Sequence, residues 1–188
     1  MQRREALKRI TWISGGALSA PIAAGILQGC QADSSSDWMP SVLTEDQVSL
    51  VAEICETIIP ATDTPGAKDA LVHRYVDIML KDIFEEKDKN RFLTKLDEFA
   101  QDAQTQYGKS FVKCESEQRI EHLKSYEKAA RNNTNPVDTP FFTTMKQLTL
   151  SGFFTSEVGA TQVLRYVAVP GRYEGCVPLE EGQNAWAV

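Results

Sequence analysis

Four cysteines (Cys30, Cys55, Cys114, Cys176) and two histidines (His73, His122) are the side chains of this 188-residue sequence best suited to act as nucleophiles, proton carriers or metal ligands. Their spacing fits little of that chemistry. Two histidines cannot build a multi-histidine metal site, and there is no Cys-x-x-Cys-His to attach a haem covalently. Gly-x-Gly-x-x-Gly, the P-loop and Gly-x-Ser-x-Gly are all missing, so a dinucleotide, a nucleotide phosphate and a serine nucleophile each lack their usual setting. His73 falls at helical spacing from Asp69 and Asp77, a carboxylate–histidine arrangement able to move a proton. The same spacing describes a solvated helix face making ordinary surface pairs, and that is the expectation here. His122, beside Glu121, is also expected to be exposed. The run Lys81–Lys89, with Glu85-Glu86 inside it, mixes both signs and lacks the glycine turn of a calcium loop. It reads as a solvated connection between helices. The sequence therefore assigns no catalytic residue, no cofactor-binding residue and no metal ligand.

Cys30 has a different setting. Arg3-Arg4, followed by Lys8 and Arg9, precedes a weakly apolar run from Ile10 to Leu27, and Leu27-Gln28-Gly29-Cys30 closes it. A basic start stays on the cytoplasmic side while an apolar run enters the bilayer. Gly15, Gly16 and Gly25 dilute the run and Pro21 breaks it. The whole resembles a twin-arginine signal peptide ending in a lipobox. Arg3 and Arg4 would be read by the twin-arginine translocase, and the small Gly29 would let a peptidase reach the bond before Cys30. The Cys30 thiol would then carry the lipid that holds the chain to the membrane. That route exports folded proteins and places the domain on the periplasmic face of the envelope. An uncleaved anchor and an ordinary cleaved signal are the alternatives. An 18-residue stretch is near the lower limit for spanning a bilayer.

Residues 1–29 hold four of the 20 basic and one of the 26 acidic side chains. The remaining 159 residues carry 16 against 25, a formal charge of −9. That is enough chain for one domain with its own core. Its acidity argues against nucleic acid and against binding anionic headgroups by charge. Three cysteines remain beyond Cys30. Cys55 lies in an apolar helical pattern and reads as a buried thiol. Cys114 and Cys176 fall in loop-like segments and are the expected disulfide pair, with free thiols as the alternative.

Residues 30–42, with Ser34-Ser35-Ser36 between aspartates, read as a flexible tether, and residues 43–188 as the domain. Thr44 and Gln47 form a capping box. Val48, Val51, Ala52, Cys55, Ile58 and Ile59 then make one apolar helix face that Pro60 ends. A second helix is predicted from about Asp69 to Phe84, and a third from roughly Lys89 to Tyr107 with Gly108 as its stop. A fourth is predicted after Ser116 as cap, and a fifth after Thr139 as cap with Pro140 in its first turn. Periodicity ends near Ser156. Tyr166–Val169 is a candidate short strand among turn residues. The fold class is all-α: a small bundle of about five helices with an irregular C-terminal extension.

The stretch Glu56-Thr57-Ile58-Ile59-Pro60-Ala61-Thr62-Asp63-Thr64-Pro65-Gly66-Ala67 resembles the signature of the gluconate 2-dehydrogenase subunit 3 family. Leu150-Ser151-Gly152-Phe153-Phe154-Thr155-Ser156-Glu157-Val158-Gly159-Ala160 is similar to a second block of that family, and Pro170–Cys176 completes the likeness. It spans roughly Leu43 to Pro178. The resemblance implies a non-catalytic small (gamma) subunit that binds no cofactor itself. It accompanies a large glucose–methanol–choline-type flavoprotein that holds FAD and oxidises sugars, sugar acids or polyols, often with a cytochrome c subunit. It supplies no catalytic residue. Thr62, Asp63 and Pro65 form a turn suited to pairing with backbone locally or across an interface. Phe153, Phe154 and Tyr173 are aromatics near loops that could anchor a partner. The alternative is a stand-alone envelope lipoprotein with an adaptor or structural role.

Overall fold

The capping box at Thr44 is formed. Gln47 N donates to Thr44 Oγ1 at 3.3 Å, and Thr44 N donates to Gln47 Oε1 at 3.1 Å. Two amides that a helix end leaves unpaired are thereby satisfied reciprocally. Helix α1 follows over Glu45–Ile58 and buries Leu50, Val51, Ile54 and Cys55. The computed structural model describes residues 38–135, 139–169, 171, 175–178 and 180–187. Arg3, Arg4, Cys30 and Tyr173 lie outside the described residues. The chain divides into two units, Met1–Met39 and Pro40–Val188. In the second, α1 is followed by α2 (Val72–Asp82), α3 (Glu86–Tyr107), a 3-10 turn (Phe111–Lys113), α4 (Ser116–Arg131), α5 (Phe141–Phe154) and a π-helical turn (Gly159–Val163).

Among the described residues the fold is all-α. The strand expected at Tyr166–Val169 reduces to one parallel bridge between Arg165 and Trp186. The Arg165 guanidinium also lies 4.2 Å over the Trp186 ring. Several helix ends differ from the sequence reading. The second helix starts at Val72 rather than Asp69. Asp69 instead accepts a bond from Gly66 N at 3.0 Å, and Leu71 takes a left-handed conformation (φ 52°) that breaks the helix before Val72. The third starts at Glu86, so the acidic end of Lys81–Lys89 is a helical first turn and not a connection. Glu86 and Asp88 there face the positive end of the helix dipole. Glu115 caps the fourth helix in place of Ser116, its N–H donating to Gln118 Oε1 at 3.1 Å. Pro140 caps the fifth in place of Thr139, because its ψ of 144° keeps it outside the helix. Gly108 ends α3 as expected, at φ 68°.

Helix α5 is the centre of the bundle and packs against all four other helices. Its sequence explains this, since Phe141, Phe142, Met145, Leu148, Leu150, Phe153 and Phe154 make half of its 14 residues large and apolar. Gly152 lets it lie close on α2: a Cβ there would sit 2.7 Å from the Tyr75 ring. A second focus is Phe99 of α3. Its ring lies 4.5–5.8 Å from those of Phe111, His122, Tyr126 and Phe141, mostly edge-on, the favoured geometry for aromatic pairs.

Asp77 joins α2 to the segment that leads into α1. Its carboxylate is buried and accepts three backbone N–H bonds: Ser41 at 2.7 Å, Val42 at 3.0 Å and Leu43 at 2.8 Å. Leu43 is thereby set into the core. Hydrogen bonds to a charged acceptor are worth about 1.5–3 kcal/mol each, and donors left buried without one cost a similar amount. Asp77→Ala is therefore expected to destabilise the domain by about 3 kcal/mol, read as a lower urea midpoint. Asp77→Asn should lose less, because Oδ1 still serves Val42 and Leu43 while an amide NH2 opposes Ser41 N. An unchanged midpoint in the alanine variant would show that the clamp contributes nothing.

Candidate functional site

The turn between α1 and α2 is built around one carboxylate. Glu56, in the last turn of α1, reaches forward into it. Oε1 accepts from Ala61 N and Oε2 from Lys68 N, both at 2.9 Å. Ala67 N closes back on Ile59 O at 2.9 Å. Gly66 is required because the carboxylate fills the place of a side chain: a Cβ there would fall 2.5 Å from Glu56 Oε1 and 2.6 Å from Ala61 N. Glu53, one turn earlier, pairs with both Lys68 and Arg119. Arg119 Nη2 also donates to Val112 O at 2.6 Å. Three elements and the turn are thus tied together by two acids of α1. Thr62, Asp63 and Thr64 stand exposed at the tip, where Thr62 N donates to Thr64 O at 2.9 Å, while Pro65 is half-buried. The sequence identified the tip but missed Glu53 and Glu56, which hold it.

Phe153 and Phe154 part company. Phe153 is a core residue, 1% exposed, so it cannot meet a partner from where it stands. Phe154 is 39% exposed and stacks edge-on against Phe153 at 5.2 Å. The turn after them is closed by Ser156. Its Oγ donates to Phe153 O at 2.6 Å and accepts from Gly159 N at 3.0 Å. The first two of the three stretches that carry the family resemblance therefore include self-bonded turns at helix ends, one after α1 and the other after α5.

The nucleophilic and titratable groups sit elsewhere. Cys55 is fully buried, and burial pushes its thiol up to about 12, which leaves it unreactive at neutral pH. Thr149 Oγ1 lies 3.4 Å from its sulfur. Cys114 and Cys176, expected as a pair, are both free thiols in the structure. Cys114 is buried under the 3-10 turn with its sulfur 3.5 Å from Ser110 O, whereas Cys176 is exposed. His122, expected on the surface, is 1% exposed. The rings of Phe99, Phe111, Tyr107 and Tyr126 surround it. Its Nε2 lies 3.1 Å from Phe99 O and its Nδ1 3.4 Å from Gln106 Oε1. Neighbouring Glu121 accepts from the Tyr107 hydroxyl at 3.4 Å, a contact the sequence could not show. His73 is half-buried rather than solvated. The acids expected near it, Asp69 and Asp77, are engaged with backbone amides. Among the described residues no group of three or more His, Cys, Asp or Glu is placed to hold a metal ion, and no helix is long and apolar enough to cross a membrane.

A family model described as Gluconate 2-dehydrogenase subunit 3 matches residues 45–171, from the first turn of α1 past the π-helical turn. No curated protein and no solved structure matches the chain.

Gly66→Ala should force Glu56 out of the turn and lower stability by about 1–3 kcal/mol, the usual cost of overpacking. Tryptic cleavage at Lys68 should also speed up. An unaltered melting temperature would mean that the carboxylate steps aside freely. A pH dependence follows from the buried imidazole. Burial holds His122 below its ordinary 6.5, outweighing the raising pull of Phe99 O and Asp102. His73 moves the same way through burial and then through Arg74 and Lys68. The folded state binds fewer protons than the unfolded chain, so stability is full above pH 6.5 and is lost as pH falls below it. The urea midpoint is expected to drop between about pH 7 and pH 5, and His122→Gln should flatten part of that drop. An identical slope in the variant would rule out His122 as its source.

Proposed function

This chain belongs to the gluconate 2-dehydrogenase subunit 3 family, and on that premise we propose that it is the non-catalytic small subunit of a membrane-bound, FAD-dependent dehydrogenase of sugars, sugar acids or polyols. The observation that carries the reading is the extent of the family match, which covers all five helices. The use made of the matching residues supports it. Glu56, Gly66, Ser156 and Gly159 build rigid turns from backbone bonds, as a scaffold requires. The two histidines and the buried thiols are likewise packed into or against the helices.

In this reading FAD and the oxidation chemistry reside in a large glucose–methanol–choline-type flavoprotein, and a cytochrome c subunit takes the electrons onward. The small subunit binds and stabilises the flavoprotein. Arg3-Arg4 addresses the folded pair to the twin-arginine translocase, and lipidated Cys30 holds it on the periplasmic face. The Asp77 clamp gives that arrangement a mechanical basis. Ser41 and Val42, read from the sequence as the end of the flexible tether, are fixed to the domain together with Leu43 by three hydrogen bonds and a core leucine. Pull on the tether would meet the bundle there.

Purification of the intact chain from membranes in mild detergent tests the binding role. A flavoprotein that oxidises a sugar or polyol should co-purify, with a flavin absorbance spectrum. A colourless, solitary chain would instead favour a lipoprotein adaptor. Arg3-Arg4→Lys-Lys should strand both subunits in the cytoplasm, and Cys30→Ser should release the complex from membranes. Normal export in the first variant, or unchanged membrane association in the second, would remove the escort or the tether role respectively.

A further inference from the structure

One groove of the bundle combines apolar lining with a basic rim. Two cavities, of about 200 and 390 Å³, lie along α4 and α5, the smaller also bordering the end of α1. They share Glu127, Phe142 and Lys146 and so form one groove. Its floor is apolar, made by Ile58, Ile120, Phe142 and Leu150. Ile120 is 40% exposed and Leu150 37%. Two large aliphatic side chains are thus open to water along one channel, between helices able to receive a third.

The rim is basic. Lys124, Arg131 and Lys146 line the groove against a single carboxylate, Glu127. Glu127 already pairs with Arg131 at 2.9 Å and lies 3.6 Å from Lys146. Lys146 Nζ is also 5.8 Å above the Phe142 ring. Three cations against one anion make a local excess of positive charge on a domain whose formal charge without its leader is −9. The contrast with the cavity between α1, α3 and the 3-10 turn is direct. That space, about 530 Å³, is rimmed by Asp46 and Asp97 with Lys113, and an acidic ligand gains nothing there.

We propose that this groove is the docking site for the large subunit, and that it receives an acidic amphipathic helix of that subunit. The proposal rests on the small-subunit reading and specifies where that subunit binds. Apolar side chains at helical spacing on the incoming segment would cover Ile120, Phe142 and Leu150, and flanking Asp or Glu would meet Lys124, Arg131 and Lys146. Phe142 and Leu150 are eight residues apart on α5, about 12 Å at the helical rise, which is roughly two turns of a docked helix. The charge pattern selects the segment and the apolar floor supplies most of the buried area.

The test uses the complex isolated from its own membranes in mild detergent. A photo-crosslinking amino acid is placed at Ile120, at Leu150 and, as a control, at Gln101 on the solvated face of α3. Crosslinks from positions 120 and 150 should map to one acidic helical segment of the flavoprotein, and position 101 should give none. In parallel, the double variant Lys124→Glu/Lys146→Glu, checked for an unchanged melting temperature, should retain at least about tenfold less flavoprotein than wild type. If wild type retains the flavoprotein but the double variant binds it equally and crosslinks arise only outside the groove, the docking site is wrong and the small-subunit reading stands. Crosslinks from the groove to a second copy of this chain overturn the proposal in favour of self-association. If wild type retains no flavoprotein, the small-subunit reading fails, and this proposal with it.

Discussion

The carboxylate of Glu56 sets the geometry on which the rest of the bundle depends. A helix that ends at Ile58 and must be followed by another at Val72 leaves a connection whose amides need partners. Backbone carbonyls serve some of them, as Ile59 O does for Ala67 N and Thr64 O for Thr62 N, but not Ala61 N and Lys68 N. Glu56 answers by placing both oxygens under the turn, on Ala61 N and Lys68 N. Gly66 is the consequence, since the oxygens occupy the space of its side chain. The turn from which α2 leaves is held by that carboxylate together with Asp69, which accepts from Gly66 N, and the left-handed Leu71.

Asp77 does for the start of the domain what Glu56 does for its first turn. In both places an acid on a helix satisfies the backbone of an irregular segment, and the segment becomes as rigid as the helix. Aromatic packing around Phe99 and the central position of α5 make the interior one unit. Ser41–Leu43 and the surface presented by α4 and α5 are therefore joined through packed side chains rather than through loops. Glu53, Glu56 and Asp77 each meet cations or amides.

Much of the fold was legible because helical periodicity is a local property. The apolar face of α1, its capping box and the stop at Gly108 come from neighbours three and four residues apart. The helix ends read less well. Whether Asp69 begins a helix or caps a turn depends on where Gly66 N lies, and whether Pro140 is inside or outside a helix depends on its own ψ. The site was legible only at its tip. Thr62, Asp63 and Pro65 announce a turn by residue type, but Phe153 and Phe154 are identical in type and adjacent in sequence, so only packing separates core from surface. His122 shows the same limit: its neighbours Glu121 and Lys124 suggest water, while one side of α4 faces four aromatic rings.

The sequence by itself determined the all-α class, the acidic balance, the family and the lack of a recognised catalytic motif, because each is carried by composition, by short-range spacing or by a contiguous motif. Only the tertiary structure decided which acids are buried against amides, that Cys114 and Cys176 are free thiols, and that a basic-rimmed apolar groove runs along α4 and α5. The physical reason is the same in each case. These properties belong to residues far apart in the chain, Asp77 with Ser41 or Ile58 with Phe142, and their proximity is set by how the helices cross, which no local pattern encodes.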